Sequence, residues 1–514
     1  PMPVSSKLWR MTPSKRPIVR TRSRRSGRMT VTVRIRAGIR YAPPVTRDVR
    51  SADVKYAIER AFSRNVANPY VGRYLSSIHG APVAGTGPIR PIPGIQTPDD
   101  RTIVFRLDRP EANMVVQALA LPVSIPVPRA YAARADATVP SIYGSRLRPA
   151  STGPYMFSPA STAARLRQQG VVLVRNPNWS ADSDDRPAYA DTIRVRFGRS
   201  NRARALRETL DGSGVICCGT TAIPDPLLAR AMADHPGQVG FIADGGTRSI
   251  ALNTSRPPFD DVNLRRAVAA ALDRAELRRL AGGEATGQIA TGWLAPGIPG
   301  SVAAGGERQN TDRDYLVNPA GDAAVARRYM DAAAADGLPI RRGTWVGETP
   351  ITLVTSGADT TRPVANAVRQ QLESLGFTVT VRTVTGAVNQ ARWCGASRAE
   401  VAVCPMTWVP DLIDPQAVFD PQFAAGAIRR SGGTNWSRFA DPEVTAELAA
   451  AGSRTMGQGR EQAYVALNRQ IADVVPAIPW LWGQTAVIHS RDTVSVANRV
   501  SGLTDLSYSW ISRP

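Results

Sequence analysis

Residues 252–274 read LNTSRPPFDDVNLRRAVAAALDR. Residues 250–252 are predicted to form a short strand, and Pro257 and Pro258 then turn the chain. Asp261 is a typical helix N-cap, and the residues after it place an apolar stripe on one face of a helix. The stretch therefore predicts a strand, a turn and a helix in succession. The stripe consists of Leu264, Ala267, Val268, Ala271 and Leu272.

Strands and a helix also alternate in residues 351–407. Strands are predicted at 351–355, 377–384 and 401–407, and an amphipathic helix at 364–375 is followed by Gly376, a favoured residue just past a helix end. Because strands that alternate with helices are joined by right-handed crossovers, the pattern predicts a largely parallel sheet.

Length and composition are those of a globular protein. The chain has 514 residues, enough for two or more domains, and is 43% hydrophobic and 21% charged. No stretch approaches the roughly 20 continuous apolar residues of a transmembrane helix.

The positive charge is concentrated at the start of the chain. The formal net charge is +22, and residues 1–50 hold 14 Lys+Arg against one acid, Asp48. Only three lysines accompany 61 arginines, which favours compositional bias over a selected nucleic-acid surface.

Residues 1–28 lack the apolar core of a signal peptide and any hydrophobic period. We interpret them as a disordered or artefactual head, so the missing signal peptide is weak evidence for a cytoplasmic location.

Catalytic motifs are absent from the sequence. It has no G-x-S-x-G elbow, no phosphate-binding P-loop and no H-E-x-x-H. The only histidines, His79, His235 and His489, are scattered and suggest no nucleophile–base pair. We therefore expect no enzyme activity, no cofactor and no metal site.

The four cysteines show no zinc-binding spacing. Cys394 and Cys404 lie ten positions apart around a turn, which is compatible either with a disulfide, in an oxidising compartment, or with two separate buried thiols. The adjacent Cys217 and Cys218 are interpreted as structural.

From about residue 29 to its end, the chain resembles the family 5 extracellular solute-binding proteins, the peptide- and nickel-binding receptors of ABC importers. The resemblance is carried by sequence blocks that occur in the family's order. They are residues 51–62 (SADVKYAIERAF), 152–155 (TGPY), 175–179 (RNPNW), 252–274 and 476–480 (PAIPW).

The resemblance implies an α/β, two-lobed periplasmic-binding-protein type II fold of the peptide-binding (cluster C) variety, with the ligand buried between the lobes. Crossovers between the lobes are expected near residues 250–253 and 482–485. The family's opening strands of lobe I are not recognisable in the sequence. The expected organisation is a head (1–28), a first part of lobe I (29–248), lobe II (249–484) and a C-terminal return to lobe I (485–514).

Residues 406–415 (MTWVPDLIDP) carry the sharpest site prediction. They follow a predicted buried strand, and α/β sheets bind ligands beyond the carboxyl ends of their strands. The segment resembles the family's G-W-x-x-D-x-x-D-P element, in which the first aspartate pairs with the α-ammonium of a peptide, and Asp411 matches that aspartate. The alternative is that Asp411 caps a local turn. Asp414 with Pro415 is expected to initiate a turn.

Three aromatic residues complete the predicted ligand site. Trp408 and Trp436 are candidates for stacking on the ligand, with core packing as the alternative for each. Tyr155 is a candidate for presenting its hydroxyl near a crossover. No arginine for a ligand carboxylate can be singled out among 61.

These features predict a receptor at the extracellular face of the membrane or in the periplasm, possessing a lipid anchor or associating through the permease. It would be a monomer that captures a peptide or similar solute and delivers it to ABC permease subunits. Peptides, nickel complexes, sugars and opines all remain open as ligands. The alternative is a transcriptional regulator in which a solute-binding domain carries a basic nucleic-acid-binding head.

Overall fold

Two long strands, Val239–Leu252 and Ala477–His489, run antiparallel to each other through the largest sheet of the computed structural model. Their register shifts between Trp482 and Gln484, inside one of the two predicted crossovers. The prediction of a short strand at 250–252 is wrong in length, since the strand has 14 residues. Its first ten residues, VGFIADGGTR, are too rich in glycine and polar residues to resemble a strand, and their pairing comes from a partner far along the chain.

The structure describes residues 18–23, 29–146, 149–160, 170–184, 186–196, 202–217, 225–308, 312–357, 361–494 and 510–511. The chain divides into two compact units, the first holding residues 1–202, 492–496 and 505–514, and the second residues 203–491 and 497–504. The predicted lobe boundary at 249 falls within a strand of the second unit, and the division of the chain into lobes stays a prediction.

Strands β1 to β7, β17 and β18 belong to the first unit, and β8 to β16 to the second. They are β1 (Ile18–Ser23), β2 (Met29–Arg34), β3 (Ile95–Asp99), β4 (Thr102–Leu107), β5 (Tyr155–Phe157), β6 (Val171–Arg175), β7 (Thr192–Val195), β8 (Ile216–Cys217), β9 (Val239–Leu252), β10 (Gly287–Gln288), β11 (Ile340–Arg341), β12 (Thr344–Trp345), β13 (Ile351–Ser356), β14 (Val379–Val384), β15 (Val403–Trp408), β16 (Ala477–His489), β17 (Thr493–Val494) and β18 (Trp510–Ile511).

Helices α1 to α5 lie in the first unit and α6 to α16 in the second, apart from the first residue of α6. They are α1 (Ser51–Phe62), α2 (Pro69–Tyr74), α3 (Ala112–Ala118), α4 (Arg129–Asp136), α5 (Tyr143–Arg146), α6 (Arg202–Leu210), α7 (Asp225–Asp234), α8 (Val262–Ala271), α9 (Arg274–Leu280), α10 (Asp314–Val317), α11 (Ala323–Ala335), α12 (Arg362–Ser374), α13 (Gly386–Arg392), α14 (Pro415–Phe423), α15 (Pro442–Ser453) and α16 (Gln458–Val474). Among the helices of these described ranges, none is long and apolar enough to cross a membrane.

The first unit contains antiparallel sheets in the orders β1-β2-β4-β3 and β5-β6-β7. The interpretation of residues 1–28 as a disordered head is wrong for β1, which pairs with β2 from Ile18 opposite Arg34 to Ser23 opposite Met29. A strand of alternating basic residues has no apolar period from which it could be predicted. Its pairing with a partner strand is what identifies it. The rest of the predicted head, residues 1–17 and 24–28, lies outside the described residues.

The second unit contains a mixed sheet in the order β10-β16-β9-β15-β13-β14, with β8 paired to β16. β13 pairs parallel with β14 and β15, as the alternation of strands and helices predicts. β9 pairs antiparallel with β15 and β16, so a largely parallel sheet is the wrong description. The alternation of strands and helices predicts the relative direction only of strands that are joined by short crossovers. β9 and β16 come from distant parts of the chain, so the alternation does not predict their direction in the sheet.

Both faces of this sheet are buried. Ile250 and Leu252 belong to one apolar cluster, whereas Ala251 between them belongs to another on the opposite face, as the two-residue period of a strand requires. Helix α8 covers the first face with the predicted stripe residues, and Asp261 accepts a hydrogen bond from the Leu264 amide at 2.6 Å. The N-cap prediction at Asp261 is therefore confirmed.

Candidate functional site

The candidate ligand segment begins where β15 ends, at Trp408. Trp408 pairs with Thr247 of β9, and Gly246 beside it leaves no room for a side chain. A Cβ on Gly246 would lie 2.8 Å from the Trp408 carbonyl oxygen and 2.8 Å from a methyl of Val409. Backbone contact of this kind fixes the direction in which the chain leaves the strand.

Trp408 is half-buried, and its indole is held by the helix that follows the segment. Its Nε1–H donates to the backbone carbonyl of Ala417 in α14 at 2.9 Å. That hydrogen bond fixes the edge of the ring relative to α14.

Asp411 is half-buried and lies three residues beyond the end of β15. The preceding Pro410 is buried and lies 3.8 Å from the position that a Cβ on Gly245 would take. The start of the segment, residues 408–410, therefore lies close to Gly245 and Gly246 of β9. The ligand role of Asp411 stays a prediction.

Asp414 anchors the other end of the segment. It caps α14 by accepting from the Gln416 amide at 2.8 Å, and it receives two hydrogen bonds from the Arg460 guanidinium at 2.7 and 2.8 Å. Arg460 also donates to the Gln416 side chain at 3.0 Å, and both partners of the ion pair are almost completely buried. Asp414 thus ties α14 to α16, which is more than the predicted turn initiation.

Sequence reasoning missed Arg460, although a signal was present. Arg460 lies on the same face of its helix as Tyr464, Leu467 and Ile471, at spacings of four, three and four residues. A cation within an apolar stripe indicates a buried partner. The sequence does not say which acid that partner is.

Trp436 packs against the core of the second unit, in the cluster that contains Cys394 and Phe439. Its indole donates to the Gly433 carbonyl at 3.1 Å within its own loop. These contacts favour the core-packing alternative, and the ligand role of Trp436 stays a prediction.

Tyr155 lies in the first unit, on β5, whereas Trp408, Asp411 and Trp436 lie in the second. It is half-buried, and its hydroxyl donates to the Ala190 carbonyl at 2.7 Å. The hydroxyl therefore already has an acceptor within the first unit.

A disulfide joins Cys394 to Cys404, with sulfurs 1.98 Å apart. Cys404 is the second residue of β15, so the cross-link lies at the start of the strand that leads to the candidate segment. Both cysteines are buried in the same apolar cluster. Of the adjacent pair, Cys217 is disulfide-bonded and Cys218 lies outside the described residues.

A charged pair lies on β9 close to the same strand end. Arg248 Nη2 lies 3.5 Å from Asp244 Oδ2, and both side chains are largely buried. Arg248 Nη1 is buried and has no hydrogen-bond partner. Nothing in the sequence distinguishes Arg248 from the other arginines, since its position at the strand end depends on the pairing of β9 with β15.

No three histidine, cysteine, aspartate or glutamate side chains come close enough to hold a metal ion in the part of the chain that the structure describes. The candidate segment itself carries a carboxylate, Asp411, and an indole, Trp408, three positions apart in the sequence, and both groups suit a cationic or zwitterionic ligand.

Comparison with known proteins matches the chain to one family. The model of the bacterial extracellular solute-binding proteins, family 5 middle region, matches residues 22–429. A probable ABC transporter periplasmic-binding protein, SapA of Escherichia coli (strain K12), is 23% identical over 84% of this chain and 72% of its own length. Di/tripeptide-binding protein 2 of Pseudomonas aeruginosa (strain UCBPP-PA14) is 22% identical over 88% of this chain and 78% of its own.

A solved structure extends the similarity to the fold. Clavulanic acid biosynthesis oligopeptide binding protein 2 is 25% identical and superposes with a TM-score of 0.79 over 96% of this chain and 85% of the other. The fold class expected from the sequence, the mixed α/β fold of the peptide-binding solute receptors, is therefore confirmed.

Proposed function

Since this chain belongs to the family 5 bacterial extracellular solute-binding proteins, we propose that it captures short peptides and delivers them to the permease of an ABC importer. Asp411 would receive the α-ammonium of the peptide, and a face of Trp408 would contact the first side chain. A carboxylate that is partly withdrawn from water forms a short, charge-assisted hydrogen bond to an ammonium group.

The observation that carries this proposal is the fixed geometry of residues 408–414. The Trp408 indole is hydrogen-bonded to Ala417, and Asp414 is paired with Arg460, so Asp411 lies on a segment held at both ends. A binding group that is held before the ligand arrives loses less conformational entropy when it binds.

Two relatives support peptides as the ligand class and the cell exterior as the location. One is named as a di/tripeptide-binding protein and the other as a periplasmic component of an ABC transporter. We extend both descriptions to this chain, together with a monomeric state and attachment to the membrane through the permease or a lipid anchor. The regulator alternative has no observation in its favour.

The test is a thermal-shift screen of the purified protein against dipeptides and tripeptides, followed by calorimetric titration of the best binder. A ligand that binds only the folded state stabilises it by about 2.7 kcal/mol at 100 times its Kd. Native mass spectrometry before and after denaturation would reveal a co-purifying peptide.

Replacement of Asp411 tests the site itself. A hydrogen bond to a charged group contributes about 1.5–3 kcal/mol, so Asp411→Asn should weaken peptide affinity about ten- to a hundredfold. Asp331→Asn, the same change at an exposed position of α11, is the matched control and should leave affinity unchanged. Unaltered affinity in Asp411→Asn would remove Asp411 from the site, and a screen without any peptide shift would refute the ligand class.

A further inference from the structure

Helix α14 contains a proline, Pro421, in its interior. Proline has no backbone N–H, so the carbonyl four residues earlier, that of Ala417, lacks the donor that a helix normally supplies from the fourth residue on. Ala417 is 1% exposed. A buried carbonyl without a donor costs free energy comparable to a lost hydrogen bond, so a donor from outside the helix stabilises this acceptor.

The partner is the candidate ligand residue Trp408. Its indole Nε1–H donates to that same Ala417 carbonyl at 2.9 Å. The donor that Pro421 lacks is therefore supplied by a side chain from the end of β15.

The two ends of α14 are secured independently of this contact. Asp414 caps the first turn and is paired with Arg460, and the Ala424 amide donates to the Asp420 carbonyl at the last turn. The contacts at its two ends thus stabilise the helix despite the proline in its interior. What the proline changes is which donor the Ala417 carbonyl accepts.

We propose that Pro421 is a positioning residue for ligand binding. Because Pro421 has no N–H to donate to the Ala417 carbonyl, that carbonyl accepts from the Trp408 indole instead. This hydrogen bond fixes the ring with its edge towards α14. The inference rests on the proposed function and narrows the ligand class, because the indole N–H is already used. The ligand group that meets Trp408 meets a ring face and is apolar or cationic, and it does not need a hydrogen-bond donor there.

The first test observes the indole directly and needs no ligand. The chain has ten tryptophans, and ¹⁵N–¹H spectra of their indole groups identify Trp408 as the resonance lost in Trp408→Phe. In Pro421→Ala, the new backbone N–H competes for the Ala417 carbonyl. The Trp408 indole resonance should then move upfield in the proton dimension and exchange faster with solvent.

Pro442→Ala is the matched control for this change. Pro442 is exposed at the first position of α15, where the missing N–H leaves no helical carbonyl without a donor. The control should leave the Trp408 resonance in place. An unchanged resonance in Pro421→Ala would show that the carbonyl accepts from both donors, and it would overturn the proposal.

The second test is a double-mutant cycle on affinity, with trialanine as the probe. A single neutral hydrogen bond contributes about 0.5–1.5 kcal/mol, so Pro421→Ala should weaken binding about two- to tenfold. In the Trp408→Phe background, where no indole N–H remains, Pro421→Ala should cause no further loss. Equal losses in both backgrounds would show that Pro421 acts through general stability and would overturn the proposal.

The two tests separate this inference from the proposed function. If trialanine does not bind the unmodified protein while the indole resonance still moves in Pro421→Ala, the choice of ligand fails and the anchoring of Trp408 by Pro421 stands. If trialanine binds and the resonance does not move, the positioning role fails and the proposed function stands.

Discussion

Gly483 of β16 lies directly against a charged pair on β9. A Cβ at this position would lie 1.8 Å from Nη1 of Arg248 and 2.4 Å from Oδ2 of Asp244, so it would collide with both members of the charged pair on β9. The pair is largely buried. Any larger residue at position 483 therefore requires both side chains to move.

We expect Gly483→Ala to force this pair apart and to lower the free energy of unfolding by about 1–3 kcal/mol, as overpacking of a filled site does. Urea denaturation measures the loss. Gly240→Ala in β9 is the control, since the nearest atom to its added Cβ would be 3.8 Å away. If both variants lose the same stability, the close contact with Arg248 and Asp244 is not the cause.

Among the elements, the contact between α14 and α16 depends on the Arg460–Asp414 pair. In Arg460→Met, the Asp414 carboxylate would stay buried without its partner, and breaking one side of a buried pair costs about 3–5 kcal/mol. Denaturant titration should show a loss of that size. Arg369→Met breaks a partly exposed pair with Glu373 within α12 and should cost only a few tenths of a kcal/mol. Comparable losses in the two variants would contradict this account.

The contact between α1 and α4 predicts a dependence of stability on pH. Asp136 is buried and accepts hydrogen bonds from Arg60, Tyr56 and Ser141 at 2.5–2.8 Å. Burial alone would raise the pKa of Asp136, but these hydrogen bonds outweigh it, with that from Arg60 first, and lower the pKa below its ordinary value.

Since its pKa is lower in the folded state, Asp136 stabilises the fold above its unfolded pKa of about 4. That stabilisation is lost as the pH falls through the folded pKa. Urea titrations between pH 7 and pH 2 should therefore show a steeper acid loss in the unmodified protein than in Asp136→Asn. Parallel pH profiles would mean that other carboxylates cause the acid loss.

The sequence predicts those elements whose signals are local. Asp261 is recognised as an N-cap because the acceptor and its amide partner lie within three residues, and the hydrogen bond is present. The candidate segment is recognised because it directly follows a predicted strand and because it resembles the family's G-W-x-x-D-x-x-D-P element. The site residue Arg460 and the strand β1 depend on partners elsewhere in the chain, which local patterns do not identify.

The same distinction applies to the candidate aromatic residues. The sequence does not distinguish Trp408 from Trp436, since ligand contact and core packing are alternatives for both. The structure distinguishes their surroundings, since the indole of Trp408 reaches a helix that follows its strand and that of Trp436 bonds within its own loop. Pro421 carries no signal in the sequence beyond its unfavourable place in a helix.

For the molecule as a whole, the two compact units predict more than one unfolding transition. Each unit has buried apolar residues of its own, such as Val31 and Phe105 in the first and Ile250 and Leu353 in the second. Scanning calorimetry should give a calorimetric enthalpy larger than the van't Hoff enthalpy. Equal enthalpies and a single transition would show that the two units unfold together.

The pairing of β9 with β16 also governs when the chain can fold during its synthesis. Beside these strands, the Gln238 side chain donates to the carbonyl of His489, 251 positions further along. At a translation rate of about 5–20 residues per second, the ribosome needs on the order of ten seconds or more to cover that distance. Until β16 has been made, β9 can pair only with β15, so the largest sheet of the second unit stays incomplete on one side of β9.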